Sequence, residues 1–204
     1  KFKKKIGYLM IISIIVVLGI HNGHKFLPFT QREYVMPSNI LINKLKALSR
    51  DSRIFGLGEA NLKTNFSTYY HLLDPNYYDP LYNKRYAQLV QYANNKNTKK
   101  LLRSDIEITN ELTIQPESTM RRDKLFAILG IRYLFLTKKD AGLIQYRNRV
   151  IWENPTWSIV ENKNVLPRAY IVENTEVHQG QNILNRLFDE AFNEKTTAII
   201  EEAV

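Results

Sequence analysis

The sequence predicts an α+β chain: one N-terminal transmembrane helix, then a single domain in which a mixed sheet is covered by helices. Three observations carry this reading. Residues 6–20 (IGYLMIISIIVVLGI) hold no charge and follow the basic block KFKKK. Apolar residues recur at helical spacing over 40–48 and 81–92, and again toward the end of 118–129. Between and after them, 131–137 (IRYLFLT) reads as a strand, and 150–153 with 157–160 read as two strands joined by the Asn154-Pro155-Thr156 turn. The two classes do not alternate strictly and nothing repeats, which favours a sheet with both parallel and antiparallel neighbours.

The expected organisation is a transmembrane helix with its basic flank over 1–25, a connector over 26–37, and an extracytoplasmic domain over 38–204. An uncharged run of fifteen residues is short of the roughly 20 a spanning helix wants, but flanking lysines can snorkel and lengthen it. The same run suits the apolar part of a secretory signal, which also has a basic front. The segment HNGHKFLPF carries no small-x-small cleavage signal, and the chain opens on Lys1 rather than Met, so further sequence is expected upstream. A buried core helix is the third reading, and the four lysines at one end argue against it. Basic residues stay on the cytoplasmic side, so residues from about His21 onward are expected outside the cytoplasm, with the lipid bilayer as the first partner.

Pro28 and Pro37 bracket a connector without clear period. Ser38 suits a helix N-cap ahead of Ile40, Leu41, Leu45 and Leu48. Residues 53–58 (RIFGLG) read as a short buried strand closed by glycine. Residues 60–80 read as a long ordered loop with one helical turn near Tyr69. Residues 94–116 give no clear period. Ser118 is expected to open a helix that Gly130 stops. Residues 167–172 (PRAYIV) read as a further strand, 183–192 as an amphipathic helix, and 196–200 as a last strand.

Composition excludes several chemistries. There is no cysteine, so disulfides, thiolate zinc sites and a cysteine nucleophile are out. The net charge is +9, but Lys1, Lys3, Lys4 and Lys5 supply four of these charges. The remaining cations are interleaved with acids, as in Arg121-Arg122-Asp123-Lys124, so no clustered phosphate-binding face emerges and nucleic acid is not an expected partner. Gly56-Leu57-Gly58 lacks the third glycine of a phosphate loop, and a strand-end turn explains it. His21 and His24 sit three apart at the membrane boundary without nearby partners; no metal or cofactor is expected. No G-x-S-x-G nucleophile turn occurs, and a carboxylate pair is a three-dimensional quantity that spacing does not reveal.

One segment stands out chemically. Residues 74–86 (DPNYYDPLYNKRY) hold tyrosines at 77, 78, 82 and 86, two Asp-Pro pairs and Arg85. Aromatic rings cover the apolar faces of a pyranose, while Asp, Asn and Arg bind its hydroxyls. The competing reading is that these tyrosines pack the loop onto the domain.

The ordered set Arg53-Ile-Phe-Gly-Leu-Gly-Glu59, Asn65, Tyr78-Asp-Pro-Leu-Tyr82 and Arg85-Tyr86 resembles the C-terminal region of bacterial YfhO-type membrane proteins. The resemblance continues through Leu129-Gly-Ile-Arg-Tyr-Leu134, Glu161-Asn-Lys-Asn-Val-Leu-Pro-Arg-Ala-Tyr170 and Lys195-Thr-Thr-Ala-Ile-Ile-Glu201, with Leu-Pro-Arg-Ala its most distinctive part. It implies a large polytopic parent similar to GT-C glycosyltransferases, moving sugar from a polyprenyl-phosphate carrier to a cell-envelope glycopolymer. In that family type the catalytic acid is expected in an early extracytoplasmic loop outside this chain, so no catalytic residue is carried over and the fragment is expected to be inactive alone. Arg53, Asp79, Tyr82, Arg85 and Arg168 are the expected acceptor contacts, since arginine forks suit phosphates and tyrosine suits sugars. The competing reading makes Arg53, Asp79 and Arg168 internal salt-bridge partners. A non-enzymatic scaffold, or a membrane-anchored glycan-binding module, is the alternative function.

Overall fold

The computed structural model describes residues 2–26, 31–62, 65–76, 81–96, 98, 107–143 and 149–202. The chain divides into two compact units, Lys1–Asn39 and Ile40–Val204.

In the first unit, helix α1 (Phe2–Phe26) extends beyond the apolar run at both ends. Its stretch Lys4–Gly23 has a mean hydropathy of 1.9 and none of it is buried. A helix of 25 residues reaches about 37 Å, enough to cross a hydrocarbon core of about 30 Å. An apolar surface exposed all round is tolerated where the solvent is lipid, so α1 is compatible with membrane anchoring. A signal sequence meets the same description. A single turn, α2 (Arg32–Val35), follows.

The second unit begins with α3 (Ile40–Leu48), which buries Leu41, Ile42 and Leu45 and leaves Ile40 exposed. Ser49 is buried behind it, and its Oγ accepts the Leu73 amide at 2.6 Å. Strand β1 (Arg53–Gly56) then enters a four-stranded sheet with β2 (Ile131–Thr137), β3 (Val150–Glu153) and β4 (Trp157–Glu161), in the order β1-β2-β4-β3. β1 runs parallel to β2, pairing Phe55 with Leu134, while β2–β4 and β4–β3 are antiparallel. The expected mixed sheet is therefore present. A parallel pair needs a long crossover; here it carries a turn, α4 (Phe66–Tyr69), and two helices, α5 (Lys84–Asn95) and α6 (Pro116–Ile128).

Those two helices bring Val90, Tyr92, Ala93, Leu125 and Phe126 against Phe55, Ile131, Leu134 and Leu136 of the strands. The Phe55 and Phe126 rings meet at 5.1 Å between centroids. Burying each such large side chain contributes roughly 1.5–3 kcal/mol, which is why IRYLFLT, apolar on both faces at its end, occupies a central strand. α6 stops where expected: Gly130 takes φ +67, a left-handed geometry that favours glycine. Its start lies two residues before Ser118, with Pro116 in the first turn.

One expected strand is absent. Residues 167–172 are not a strand; Pro167, Arg168, Ala169, Tyr170 and Ile171 are all exposed. Pro167 has no amide to donate to a ladder, and side chains that all reach solvent cannot show the in–out alternation of a half-buried strand. The strand lies further on, as β5 (Asn174–Val177), which pairs in parallel with β6 (Thr197–Ile200). Helix α7 (Gln181–Leu187) joins them and ends earlier than the periodicity over 183–192 suggests.

Candidate functional site

The β5–α7–β6 unit lies against α5. Asn83 starts α5, its side-chain oxygen accepting the Tyr86 amide at 3.1 Å. Lys84 and Arg85 then occupy the first turn, which holds no acidic residue. Two cations at the positive end of a helix oppose its dipole. Such a local conflict between sequence and fold is characteristic of sites retained for binding. Facing this turn, Gln181 opens α7, and Glu201 follows β6.

A groove of about 480 Å³ runs between the two helices. Leu89, Ile183, Leu184 and Leu187 contribute its apolar lining; Lys84, Arg85, Gln88 and Gln181 supply polar ends. The Arg85 guanidinium donates to Glu201 Oε2 at 2.9 Å, with the two side chains 78% and 49% exposed. A pair this exposed contributes little to stability, so the arginine can exchange its partner for an incoming anion at small cost.

The back of this unit is held by charge. Glu176 accepts two bonds from Arg186, at 2.7 and 2.8 Å, and pairs with His178 at 3.1 Å. The Arg186 hydrogen bonds, with His178 second, hold the Glu176 carboxyl down to about 2. Phe192 lies between Arg186 and Lys124, each cation about 5 Å from its ring centroid. Lys124 also donates to the carbonyls of Asp189 and Phe192, at 3.0 and 2.8 Å. These contacts fix α7 and its following turn to α6.

The five residues singled out in the sequence fall in different places. Arg85 lines the groove. Arg53 is half-buried at the start of β1 and donates to the Leu129 carbonyl, bracing the end of α6. Tyr82 is half-buried just ahead of α5, and Arg168 lies in the exposed 167–171 loop; neither lines the groove. Asp79, with Tyr77, Tyr78 and Pro80, lies outside the described residues. Of the tyrosine-rich segment, Tyr86 has a packing role, its hydroxyl donating to the Pro75 carbonyl at 2.9 Å. Gln181 and Glu201 gave no signal in sequence, since only the fold sets them beside Arg85.

A larger cavity, about 750 Å³, opens at the other end of α5 beside Asn94, Asn95, Asn110 and Gln115. Much of its amide chemistry is already used. Asn94 donates to the Glu107 carbonyl and accepts the Thr109 amide, at 2.8 and 3.1 Å, and Asn110 donates to the Gly58 carbonyl at 2.9 Å. These bonds hold the irregular 107–111 segment in place of a strand ladder. Among the described residues, no three His, Asp or Glu side chains gather as a metal ion would require.

Asp74 sits close to this region. Its Oδ1 accepts the Asn76 amide at 2.9 Å, and the buried Asn76 side chain accepts the Ile108 amide at 3.0 Å. Burial raises the Asp74 carboxyl to about 7, with the Asn76 amide opposing and Glu107 adding to the rise. The fold thus binds a proton that the unfolded chain, with an ordinary carboxylate near 3.8, has lost. The stability this proton confers is present at pH 4 and lost as pH rises toward 7 and beyond. Asp74→Asn keeps the acceptor and removes the charge. Thermal melts are expected to show it more stable than the parent at pH 8 and level with it at pH 4.

The chain matches no family model, no curated protein and no solved structure.

Proposed function

We propose that this chain is the C-terminal extracytoplasmic part of a polytopic glycosyltransferase-like membrane protein, and that the α5–α7 groove holds a stretch of the envelope glycopolymer it acts on. The observation that carries the reading is the groove itself: two cations at the positive end of α5 beside an apolar lining and two glutamines. A phosphate of the polymer would take Arg85 from Glu201, with Lys84 adding charge. Gln88 and Gln181 would meet hydroxyls, and Leu89, Ile183 and Leu184 the apolar face of a sugar. The sequence resemblance supplies the reaction class: sugar passes from a polyprenyl-phosphate carrier, with the catalytic acid in the upstream membrane region. With α1 in the membrane and its lysines cytoplasmic, the groove lies outside the cytoplasm.

Among the described residues, the only carboxylate lining the groove is Glu201, already paired with Arg85. That favours holding over chemistry, and it suits the second reading, a membrane-anchored glycan-binding module without transfer activity. A sugar-transfer assay on the parent protein, with and without this domain, separates the two.

Binding is tested on the full chain in nanodiscs, titrated with a poly(glycerol phosphate) oligomer and with a neutral glucan of equal length. The phosphate polymer is expected to bind more tightly, and more weakly as salt rises. Arg85→Ala is expected to lose about 10- to 100-fold, the equivalent of one charge-assisted hydrogen bond. Equal affinity of Arg85→Ala and the parent chain would sink the groove as the site.

A further inference from the structure

The 167–171 loop is held firmly and yet presents its side chains outward. Before it, Leu166 is buried and its amide donates to the Ala127 carbonyl at 3.1 Å. After it, the Glu173 amide donates to the Thr196 carbonyl at 3.0 Å. The Tyr170 hydroxyl is tied to the Glu194 carbonyl at 2.9 Å. Between these anchors Ile171 is 95% exposed and Tyr170 45%, with Arg168 exposed alongside. Isolated exposed apolar residues are ordinary. An isoleucine almost wholly in solvent, on a loop pinned at both ends beside a tyrosine and an arginine, has the composition of a membrane-interface contact.

The chain itself brings a membrane within reach. Helix α1 ends at Phe26 and the second unit starts at Ile40, so thirteen residues join them. Fully extended, they span at most about 45 Å. A domain tethered this closely meets the bilayer at high effective concentration, so a small insertion suffices where a free domain would need a larger one.

We propose that the 167–171 loop is a lipid-contacting tip: Ile171 enters the boundary between headgroups and acyl chains, Tyr170 lies at headgroup level, and Arg168 binds lipid phosphate. This rests on α1 spanning the membrane, and is independent of any ligand in the α5–α7 groove. It would turn the end of the sheet that carries Ile131 toward the bilayer, since Leu166, which leads into the loop, has its amide on the Ala127 carbonyl and its own carbonyl beside Gly130, just ahead of Ile131. The β3–β4 turn would point away, because the Thr156 carbonyl accepts from Lys138 at the opposite end of β2.

The absence of native cysteine allows single spin labels to be placed cleanly. Ile171→Cys, Thr156→Cys and Ile14→Cys are labelled in the full chain, reconstituted one per nanodisc with anionic lipid, and probed with oxygen and a polar nickel relaxant. The ratio of oxygen to nickel accessibility at 171 is expected to be several-fold above that at 156 and below that at 14. A ratio at 171 equal to that at 156, with 14 reading the bilayer core, overturns the tip and leaves the anchor standing. An aqueous reading at 14 overturns both. Dipolar broadening between 171 labels, in discs loaded with two chains, assigns the loop to chain–chain contact and also overturns the proposal.

Discussion

Phe126→Ala is expected to destabilise the second unit by about 3–5 kcal/mol, the usual range for emptying a buried aromatic site. Phe126 is fully buried, its ring lies 5.1 Å from that of Phe55, and it joins α6 to β1 and to the sheet behind it. The Arg122 guanidinium lies 5.8 Å from the same ring, while Arg122 donates to the Glu111 carbonyl. Loss of the ring therefore leaves a cavity and removes one face of the packing around a buried arginine. The core cluster around it, including Phe55, Leu125 and Leu134, is fully buried and has little room to relax, which places the effect in the upper part of that range. Urea unfolding followed by near-ultraviolet dichroism reads it directly. A loss under 1 kcal/mol would show that this interface is looser than the packing implies.

Gly56→Ala is expected to destabilise by about 1–3 kcal/mol, the usual penalty for overpacking. A Cβ at this position would stand 2.7 Å from the Ala60 carbonyl oxygen, from Asn61 Cα and from Phe135 Cζ. Two of these three are backbone atoms and cannot swing aside. The turn after β1 therefore has to move, and with it the Gly58–Asn110 pairing, in which the Gly58 amide donates to the Asn110 carbonyl at 2.7 Å. Thermal melts are expected to drop by several degrees, at about 2–4 °C for each kcal/mol in a domain of this size. An unchanged melt would mean that the close approach of the 58–61 turn to β1 is not a constraint in solution.

Most of the sheet is readable from local chemistry. IRYLFLT is apolar, β-branched and aromatic, and Gly130 ahead of it marks both the end of α6 and the start of β2. The Asn154-Pro155-Thr156 turn fixes the β3–β4 hairpin, with the Asn154 side chain accepting the Thr156 and Trp157 amides. The helical spacing after Leu81 locates α5, although Leu81 itself is 90% exposed and the helix starts at the Asn83 cap. The start of α6 is hidden because its N-cap, Gln115, makes no side-chain capping bond, whereas Ser118 looks like a cap.

The second sheet is where local reading fails. β5 reads Asn-Thr-Glu-Val, with no apolar alternation, and is held by its pairing with β6 and by the Glu176–Arg186 contact. The neighbouring PRAYIV has the more strand-like composition and is an exposed loop. Of the groove, Arg85 is visible in sequence as part of a tyrosine-rich segment that also holds two Asp-Pro pairs. Its partner Glu201 is 116 residues away, and no local pattern could join them.

Hydrogen–deuterium exchange of the full chain in nanodiscs, with and without the poly(glycerol phosphate) oligomer, tests the groove most directly. Slower exchange is expected over 84–89 and 180–187, the two helices that form it. Protection confined to 107–118, beside the larger cavity, or no protection anywhere, would contradict the assignment of the polymer to the α5–α7 groove.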